Sequence, residues 1–578
     1  MRVVVSKFLA GLLLFALAHA FAVYAQVSPR PTLTYSPIRA PHAMVASADE
    51  AASRVGIEIL RRGGNAVDAA VAIGLALAVT WPRAGNLGGG GFMLIRKADG
   101  STVAIDYRET APAAATRDIY LARDGTLTPD ASLVGYRAAA VPGTIAGLAL
   151  ALRKYGTLKW PEVVEPARRL AAAGIRVGYP LAFSLREEGK DLQRFLDSRR
   201  TLLKQGDFYQ EGDRLRQPEL VETLRRLKSS GPREFYEGQT AQMIARAMKD
   251  NGGLITLDDL KNYRAVERKP LVGSYRGYDI ITFPPPSSGG AVLLEMFNIL
   301  ESYELAKMGH ASSEKYHLLI ETMRRAFVDR FQFFGDPDFV EVPLPGLTSK
   351  AYAAQLAKKI DLTHAMSSAE VKPGRPSDSE QRQTTNFSVV DRWGNAVANT
   401  YTLNSAYGSG VMVPGAGFLL NNEMDDFTSK PGEPNQFGLI QGEANAIAPR
   451  KRPLSSMSPT LVLKDGNLRL VIGTSGGPTI ITQILQVIVN LVDHGMNIRQ
   501  AIEAPRIHHQ WLPDVVDYEP YGLAQDVMAA LVAKGHRLRI NPHAPYSGDV
   551  EAIAIEPDTA IRLGSSDPRN ANACTLGY

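Results

Sequence analysis

The sequence has almost no cysteine and, beyond its first 25 residues, no apolar run that could cross a membrane. Cys574 is the only cysteine among 578 residues, so no disulfide can form within the chain. The spacing of Cys and His fits no zinc site, and we expect no metal or cofactor. The net charge is only +5, without a run of five basic residues, which argues against nucleic acid as a partner. With 45% hydrophobic and 21% charged residues, the chain is expected to be globular and large enough for more than one domain.

The first 25 residues have the features of a secretory signal peptide. Arg2 and Lys7 form a basic start, residues 8–22 are almost all apolar, and Ala25 ends a small-residue cleavage site. An uncleaved anchor is the less favoured alternative, because this run is shorter than the roughly 20 residues of a membrane span. We therefore predict a mature chain that starts at Gln26, is exported to the periplasm and has no membrane anchor.

The order of patterns along the chain indicates an α+β protein built from stacked layers of helix and sheet. Residues 362–383 are polar and aperiodic, which is typical of an exposed linker. Helices are predicted before this linker over residues 48–62, 66–80, 143–155, 160–173, 218–228, 237–251, 290–303 and 312–333. After it, strands are predicted over 385–391, 396–403, 460–464, 467–473, 552–555 and 560–563, and helices over 479–494, 498–503 and 524–534.

Two glycine-rich stretches are candidates for binding or catalysis. The run Gly88–Gly91 follows a helix and opens a strand, so it lacks the strand-loop-helix frame of a phosphate site. The stretch GTSGG at 473–477 lies between a strand and a helix and matches the nucleophile elbow of serine hydrolases, with Ser475 as the nucleophile. Alternatively, its free backbone N–H groups bind an oxyanion without any serine chemistry. Both alternatives remain open at this point.

Thr384 lies where the polar linker gives way to a strand. If the chain were cut before it, one residue would carry both a hydroxyl nucleophile and an α-amine with a pKa of about 7.7 to 8.0, suited to a general base. Without further evidence, Thr384 and Thr385 are simply β-branched residues that favour a strand.

Motifs along the whole mature chain resemble those of the gamma-glutamyltranspeptidases, which are N-terminal-nucleophile hydrolases. They follow one another in the family's order, which makes the resemblance specific. Before the linker they are GGNAVDAA (63–70), GGGGFML (88–94), DYRETAP (106–112), PPPSSGG (284–290) and GDPDF (335–339). After it they are residues 384–391 and 400–404, NNEMDDF (421–427), RPLSSMSPT (452–460), GTSGG (473–477), 505–513 and 566–569.

The resemblance implies a precursor that cuts itself between Gln383 and Thr384. A large chain of residues 26–383 and a small chain of residues 384–578 would remain together as one four-layer αββα sandwich. The enzyme would take the γ-glutamyl group of glutathione and related amides as an ester of Thr384. It would then pass this group to water or to the amine of an amino acid or peptide.

The resemblance also assigns roles to individual residues. Thr384 would be the nucleophile, oriented by Thr402, while the N–H groups of Gly476 and Gly477 would stabilise the oxyanion. These four residues form the catalytic set, and six further residues form the binding set. In the binding set, Arg108, Ser455 and Ser456 would hold the α-carboxylate, and Asn404, Glu423 and Asp426 the α-ammonium.

Three positions depart from the bacterial pattern: Asn386, Glu423 and Phe437 stand where His, Gln and an aromatic hydroxyl are common. Phe437 lies in a predicted lid at 431–442. It cannot make the hydrogen bond of an aromatic hydroxyl between lid and site, and this loss is expected to affect lid closure and the ratio of transfer to hydrolysis. Within the fold, an amide acylase is the alternative, although the carboxylate of Asp426 favours a substrate with an α-ammonium. From other classes, a serine hydrolase using Ser475 and a non-catalytic exported binding protein remain alternatives.

Overall fold

The computed structural model describes residues 36–376, 387–541 and 548–578. The predicted signal peptide, the predicted cleavage site Gln383–Thr384 and Asn386 lie outside the described residues. The described residues from Ile38 to Tyr578 belong to one compact unit.

Two seven-stranded antiparallel sheets form the centre of this unit. In spatial order, the first sheet consists of Ile38–Ala40, Arg562–Ser566, Glu551–Ile555, Asn467–Gly473, Thr460–Lys464, Tyr278–Thr282 and Leu271–Tyr275. The second consists of Cys574–Gly577, Met44–Ser47, Ser388–Val390, Ala396–Thr402, Gly90–Arg96, Thr102–Tyr107 and Val266–Arg268. Short ladders join Ile175–Arg176 to Arg214–Leu215, Leu203–Lys204 to Asp207–Phe208, and Val516–Tyr518 to Ile507–His508 and Leu538–Ile540.

Helices cover the outer faces of both sheets. One hydrophobic cluster joins the second sheet to Glu50–Arg61, Ala66–Thr80, Thr144–Tyr155, Trp160–Ala173, Tyr179–Glu188, Leu196–Leu202, Pro218–Ser230, Glu234–Glu237, Gln239–Asp250 and Leu257–Asn262. Another cluster joins the first sheet to Gly289–Leu300, Leu305–Met308, Ser313–Phe333, Leu344–Leu347, Lys350–Ala357, Thr479–Val492, Ile498–Glu503 and Gln525–Ala533. The 3₁₀ helices of the described residues are Tyr136–Ala138, Lys190–Arg194, Glu423–Asp426 and Glu443–Asn445. Within the described ranges, no helix combines the length and apolar character needed to span a membrane.

Alternation along the strands creates the layers. In the second sheet, Val45 faces the helices of residues 50–262, whereas its neighbours Met44 and Ala46 face the first sheet. Strand Ala396–Thr402 of the second sheet lies directly against strand Asn467–Gly473 of the first. The order of layers is therefore helix, sheet, sheet, helix, and the predicted αββα sandwich is confirmed.

Local sequence signals account for several element bounds. Asp465 and Gly466 both have positive φ, 51° and 74°, as a two-residue type I′ turn requires, and the hairpin around them has its predicted bounds. Other bounds differ from the predictions. The helix predicted over 237–251 is interrupted at Gly238, and the final predicted strand starts at Arg562 because Ala560 has a φ of 55°.

The segment predicted as an exposed linker is partly buried. Over residues 362–376 it forms no helix or strand, yet Ser368 and Val371 are buried. Ser368 N–H donates to Asp514 Oδ2 at 2.9 Å, and Gly374 N–H donates to Asp329 Oδ1 at 2.8 Å. The polar composition of the segment could not reveal these anchors, because the acceptors Asp514 and Asp329 lie far from it in the sequence.

Candidate active site

The second described strand after the predicted cleavage point ends at the candidate site. Thr402 is the last residue of Ala396–Thr402, and its Oγ1 accepts a hydrogen bond from the N–H of Asn404 at 2.8 Å. Asn404 has a φ of 76°, and its Nδ2 donates to the carbonyl of Asn422 at 3.1 Å. This turn fixes both predicted site residues at the edge of the second sheet.

Close packing explains the glycine run beside this strand. A Cβ at Gly89 would lie 2.0 Å from the carbonyl oxygen of Thr402, and one at Gly91 would lie 2.5 Å from that of Thr400. The run therefore lets neighbouring backbones approach each other, which is an alternative to the phosphate cradle considered from the sequence.

The glycines of the GTSGG loop present free N–H groups. Gly476 and Gly477 lie between Asn467–Gly473 and Thr479–Val492 with φ of 123° and 58°, a region that favours glycine. Within residues 36–376, 387–541 and 548–578, no acceptor takes a hydrogen bond from either N–H group. Two unpaired donors next to a helix N-terminus have the arrangement needed to stabilise an oxyanion.

Arg108 joins the two sets of residues that were expected to bind opposite ends of a substrate. Its fully buried guanidinium forms ion pairs with Glu423 and Asp426, although these residues lie more than 300 positions away. It also donates to the carbonyls of Pro453 and Leu454, each at 3.1 Å. In the structure the predicted carboxylate-binding arginine and the predicted ammonium-binding acids thus neutralise one another.

The acids around Arg108 have strongly shifted protonation equilibria. Burial raises the pKa of Glu423 well above its ordinary range, and raises that of Asp426 against the opposing effect of Arg108. Burial also raises the pKa of Glu109 to about 8. Neither carboxylate oxygen of Glu109 has a hydrogen-bond partner in the described parts of the chain, and its nearest cation, Arg108, is 3.7 Å away. Three acids thus compete for one arginine.

Ser455 and Ser456 follow the backbone that holds Arg108. The N–H of Ser455 donates to the carbonyl of Pro286 at 2.9 Å, which attaches this segment to the PPPSSGG motif. Ser456 Oγ accepts a hydrogen bond from Arg330 Nη2 at 3.2 Å. The predicted carboxylate-binding residues Arg108, Ser455 and Ser456 are therefore neighbours.

The segment predicted as a lid lies over the GTSGG loop. A Cβ at Gly477 would be 3.0 Å from two atoms of the Phe437 ring. The carbonyl of Phe437 accepts from Gln510 Nε2 at 3.0 Å, and the side chain of Gln436 accepts from Ser405 Oγ at 2.6 Å. These contacts hold the segment in place without an aromatic hydroxyl at position 437.

Known proteins match this chain over nearly its whole length. The Gamma-glutamyltranspeptidase family matches residues 52–576. The chain belongs to this family. It is 48% identical to the "Glutathione hydrolase proenzyme" of Escherichia coli (strain K12) over 562 residues, which is 96% of each protein. The family resemblance inferred from the motifs is therefore confirmed.

Solved structures agree with the family assignment. The cephalosporin acylase from Bacillus halodurans matches with a TM-score of 0.84 at 27% identity, covering 96% of this chain and 98% of that one. The Helicobacter pylori gamma-glutamyltranspeptidase matches with a TM-score of 0.57 at 44% identity, covering 57% of this chain and 95% of that one. The gamma-glutamyltranspeptidase family thus shares its sandwich with acylases.

The serine-hydrolase alternative finds no assembled triad in the described parts of this gamma-glutamyltranspeptidase. Ser475 is exposed, and no described imidazole hydrogen-bonds to it. Of the histidines considered as partners, His508 bonds to Thr482 and Gln510 instead, and His543 lies outside the described residues. The described ranges also contain no cluster of His, Cys, Asp or Glu suited to a metal ion.

Three residues at the site were missed by sequence reasoning. Glu109 and Ser288 lie inside the motifs DYRETAP and PPPSSGG, so the motifs themselves could have pointed to them. Arg330 lies near the end of helix Ser313–Phe333 and belongs to none of the family motifs quoted above. Only the packing of that helix against Ser288 and Ser456 reveals it.

Proposed function

We propose that this chain is an exported proenzyme that cuts itself between Gln383 and Thr384 and then acts on glutathione and related γ-glutamyl amides. Thr384 would take the γ-glutamyl group as an ester and pass it to water or to amino acid and peptide amines. The observation that carries the proposal is the buried cluster of Arg108, Glu423 and Asp426 beside Ser455. Such a cluster complements both charges of an amino-acid end.

The two chains are expected to remain together after cleavage because their strands alternate in one sheet. Met44–Ser47, from the proposed large chain, pairs with Ser388–Val390 on one side and Cys574–Gly577 on the other, both from the proposed small chain. Separating the chains would expose the edges of these strands and of further strands that pair across the two chains in both sheets, together with the core beneath them. This supports the proposal that cleavage leaves a stable heterodimer.

The hairpin register supports Thr402 as the residue that orients the nucleophile. Ser388 lies opposite Ala398 and Val390 opposite Ala396. If this antiparallel register extended to the end of the longer strand, position 384 would lie opposite Thr402. We propose that the register continues in the processed enzyme, so that the two threonine hydroxyls meet at the sheet edge.

The chemistry proposed for Thr384 needs no cofactor. Its hydroxyl would attack the Gln383 carbonyl, and an N-to-O shift would give an ester and free the new α-amine. Water would then hydrolyse the ester, which releases the Gln383 carboxylate and restores the Thr384 hydroxyl. That amine would then serve as the general base for attack on the γ-glutamyl carbonyl. The N–H groups of Gly476 and Gly477 would stabilise the tetrahedral oxyanion in both reactions.

An amide acylase is the second candidate, because the cephalosporin acylase from Bacillus halodurans shares the fold. The two acids beside Arg108 favour the γ-glutamyl candidate, since a simple acyl group offers no ammonium to replace the arginine as their partner. We therefore propose γ-glutamyl amides as the substrates and amino acid or peptide amines as acceptors. Export through residues 1–25, release into the periplasm and the absence of a membrane anchor are part of the same proposal.

Mass spectrometry of the purified protein followed by an assay on a γ-glutamyl anilide tests this function. We expect two chains, starting at Gln26 and Thr384, and release of the aniline. Thr384→Ala should abolish both cleavage and turnover, whereas Thr384→Ser should keep part of each because the hydroxyl remains.

Ser475→Ala is the matched control, since it changes the serine of the alternative hypothesis. It should leave cleavage intact and retain measurable activity. Inactivity of Ser475→Ala together with turnover by Thr384→Ala would establish the serine-hydrolase alternative. A single uncleaved chain without activity would favour the exported binding protein.

A further inference from the structure

Arg330 is a buried cation that forms no direct ion pair among the described residues; Asp426, which is already paired with Arg108, attracts it only from a longer distance. It is 2% exposed, and no carboxylate of the described residues lies within 4 Å of its guanidinium. Most other buried arginines of the described residues form ion pairs, as Arg324 does with Glu321 and Asp514, whereas Arg562 donates to backbone carbonyls instead. An arginine is rarely buried without a pair, because its desolvation is costly. The unpaired charge of Arg330 therefore points to an anion that the chain itself does not provide.

The contacts of Arg330 show where this anion would lie. Its Nε donates to Ser288 Oγ at 2.8 Å, and its Nη2 donates to Ser456 Oγ at 3.2 Å. A guanidinium only donates, so both hydroxyl protons must point away from it. The Ser288 proton goes to the carbonyl of Ser455 at 2.8 Å. Ser456 has no such acceptor among the described residues, so its proton is available to a ligand.

The charge balance of the site explains why a second cation is needed. Arg108 is already engaged by Glu423 and Asp426, and Glu109 lies 3.7 Å away. A substrate ammonium would compete for these acids, and a substrate carboxylate would face a region with more acids than cations. Arg330 adds positive charge on the side of Ser456. Without it, the acids of the site would repel a substrate carboxylate there.

We propose that Arg330 is a positioning and specificity-determining residue, which acts through Ser456 to select donors that carry an α-carboxylate. The inference rests on the proposed γ-glutamyl function and deepens it. Arg330 fixes the Ser456 hydroxyl as a donor and supplies long-range attraction to the carboxylate. Arg108 would also bind the carboxylate once Glu423 and Asp426 pair with the substrate ammonium instead.

Two anilides separate this role from a structural one. The γ-glutamyl anilide carries the α-carboxylate, and the 4-aminobutanoyl anilide is the same donor without it. We expect Arg330→Gln to lower kcat/KM for the γ-glutamyl anilide about 10- to 100-fold, mainly through KM, as for loss of a hydrogen-bonded charge. For the 4-aminobutanoyl anilide the change should stay within about threefold, because that donor makes no use of the lost charge.

Further variants keep the test decisive if Arg330→Gln folds poorly. Arg330→Lys keeps the charge but not the two hydrogen bonds to Ser288 and Ser456. Its kcat/KM for the γ-glutamyl anilide should lie between those of the wild type and Arg330→Gln. Ser456→Ala should reproduce the same substrate selectivity, and its combination with Arg330→Gln should lose less than the sum of the two. Arg325→Gln removes a buried arginine of the same helix that bonds to Glu321 instead, and it should affect both anilides equally.

Equal loss on both anilides in Arg330→Gln and Arg330→Lys, or no loss on either, would overturn the inference. Full additivity with Ser456→Ala would contradict the proposed route through that hydroxyl. These outcomes differ from failure of the proposed function itself, in which the wild-type protein would release no aniline from the γ-glutamyl anilide.

Discussion

Replacing Arg108 with methionine would test whether the cluster of Arg108, Glu423 and Asp426 is a buried charge network. Methionine fills a similar volume but leaves both carboxylates without their cation. It also removes the donors to the carbonyls of Pro453 and Leu454. Removing one partner of a buried ion pair costs about 3 to 5 kcal/mol, because the remaining charge has lost its compensation.

This cost converts into a measurable shift in melting temperature. With an unfolding entropy of about 2.1 cal/mol/K per residue over roughly 540 residues, about 1.1 kcal/mol corresponds to 1 °C. Arg108→Met should therefore lower the melting temperature by about 3 to 4 °C in differential scanning calorimetry. Arg117→Met is the matched control, since Arg117 forms a bidentate pair with Glu443 at the surface. Its loss should lower the melting temperature by less than about 1 °C.

A second substitution distinguishes charge from packing. Because burial already raises the pKa of Glu423, Glu423→Gln removes a carboxylate that is poorly tolerated without Arg108. The double variant Arg108→Met/Glu423→Gln should melt at or above Arg108→Met. If the two losses simply add, or if Arg108→Met melts within 1 °C of wild type, the cluster is not a coupled charge network.

Three further predictions concern single positions. Burial raises the pKa of Glu109 from 4.5 to about 8, so the unfolded chain loses this proton first as the pH rises, and the stability of the fold falls between these two values. Glu109→Gln should therefore flatten the plot of melting temperature against pH in this range. An unchanged slope of that plot would contradict the prediction. Gly477→Ala should lower kcat/KM about tenfold through αL strain and the Phe437 ring, whereas Gly466→Ala, at a φ of 74° in open space, should cost only stability. Asp426→Asn should weaken γ-glutamyl turnover by about 2 to 5 kcal/mol and spare glutaryl amides; equal losses on both would show that Asp426 does not read the amine.

Short-range signals in the sequence determined much of the secondary structure. The helix Ala66–Thr80 has its predicted bounds, because Asn65 caps it and Asp68 completes a capping box within the first turn. The Asp465–Gly466 turn likewise sets the hairpin on either side of it. Such signals work because the interacting groups lie within about four residues of each other, where their distance hardly depends on the rest of the fold.

The motifs predicted most residues of the candidate site, but they did not predict which of these residues pair with one another. Arg108, Glu423 and Asp426 could be named from the sequence as charged partners of a substrate. That they bind one another depends on the path that brings residues 106–109 and 421–427 together beside the second sheet. Local sequence carries no information on a distance between groups more than 300 positions apart.

Arg330 shows most clearly what only the tertiary structure decided. In the sequence it is one of several arginines in a long helix, and a surface ion pair would be its ordinary role. In the fold the helix turns it inward against Ser288 and Ser456, with no described carboxylate at ion-pair distance. The cost of burying a charge depends on its neighbours in the fold, and residue type and spacing do not specify these neighbours.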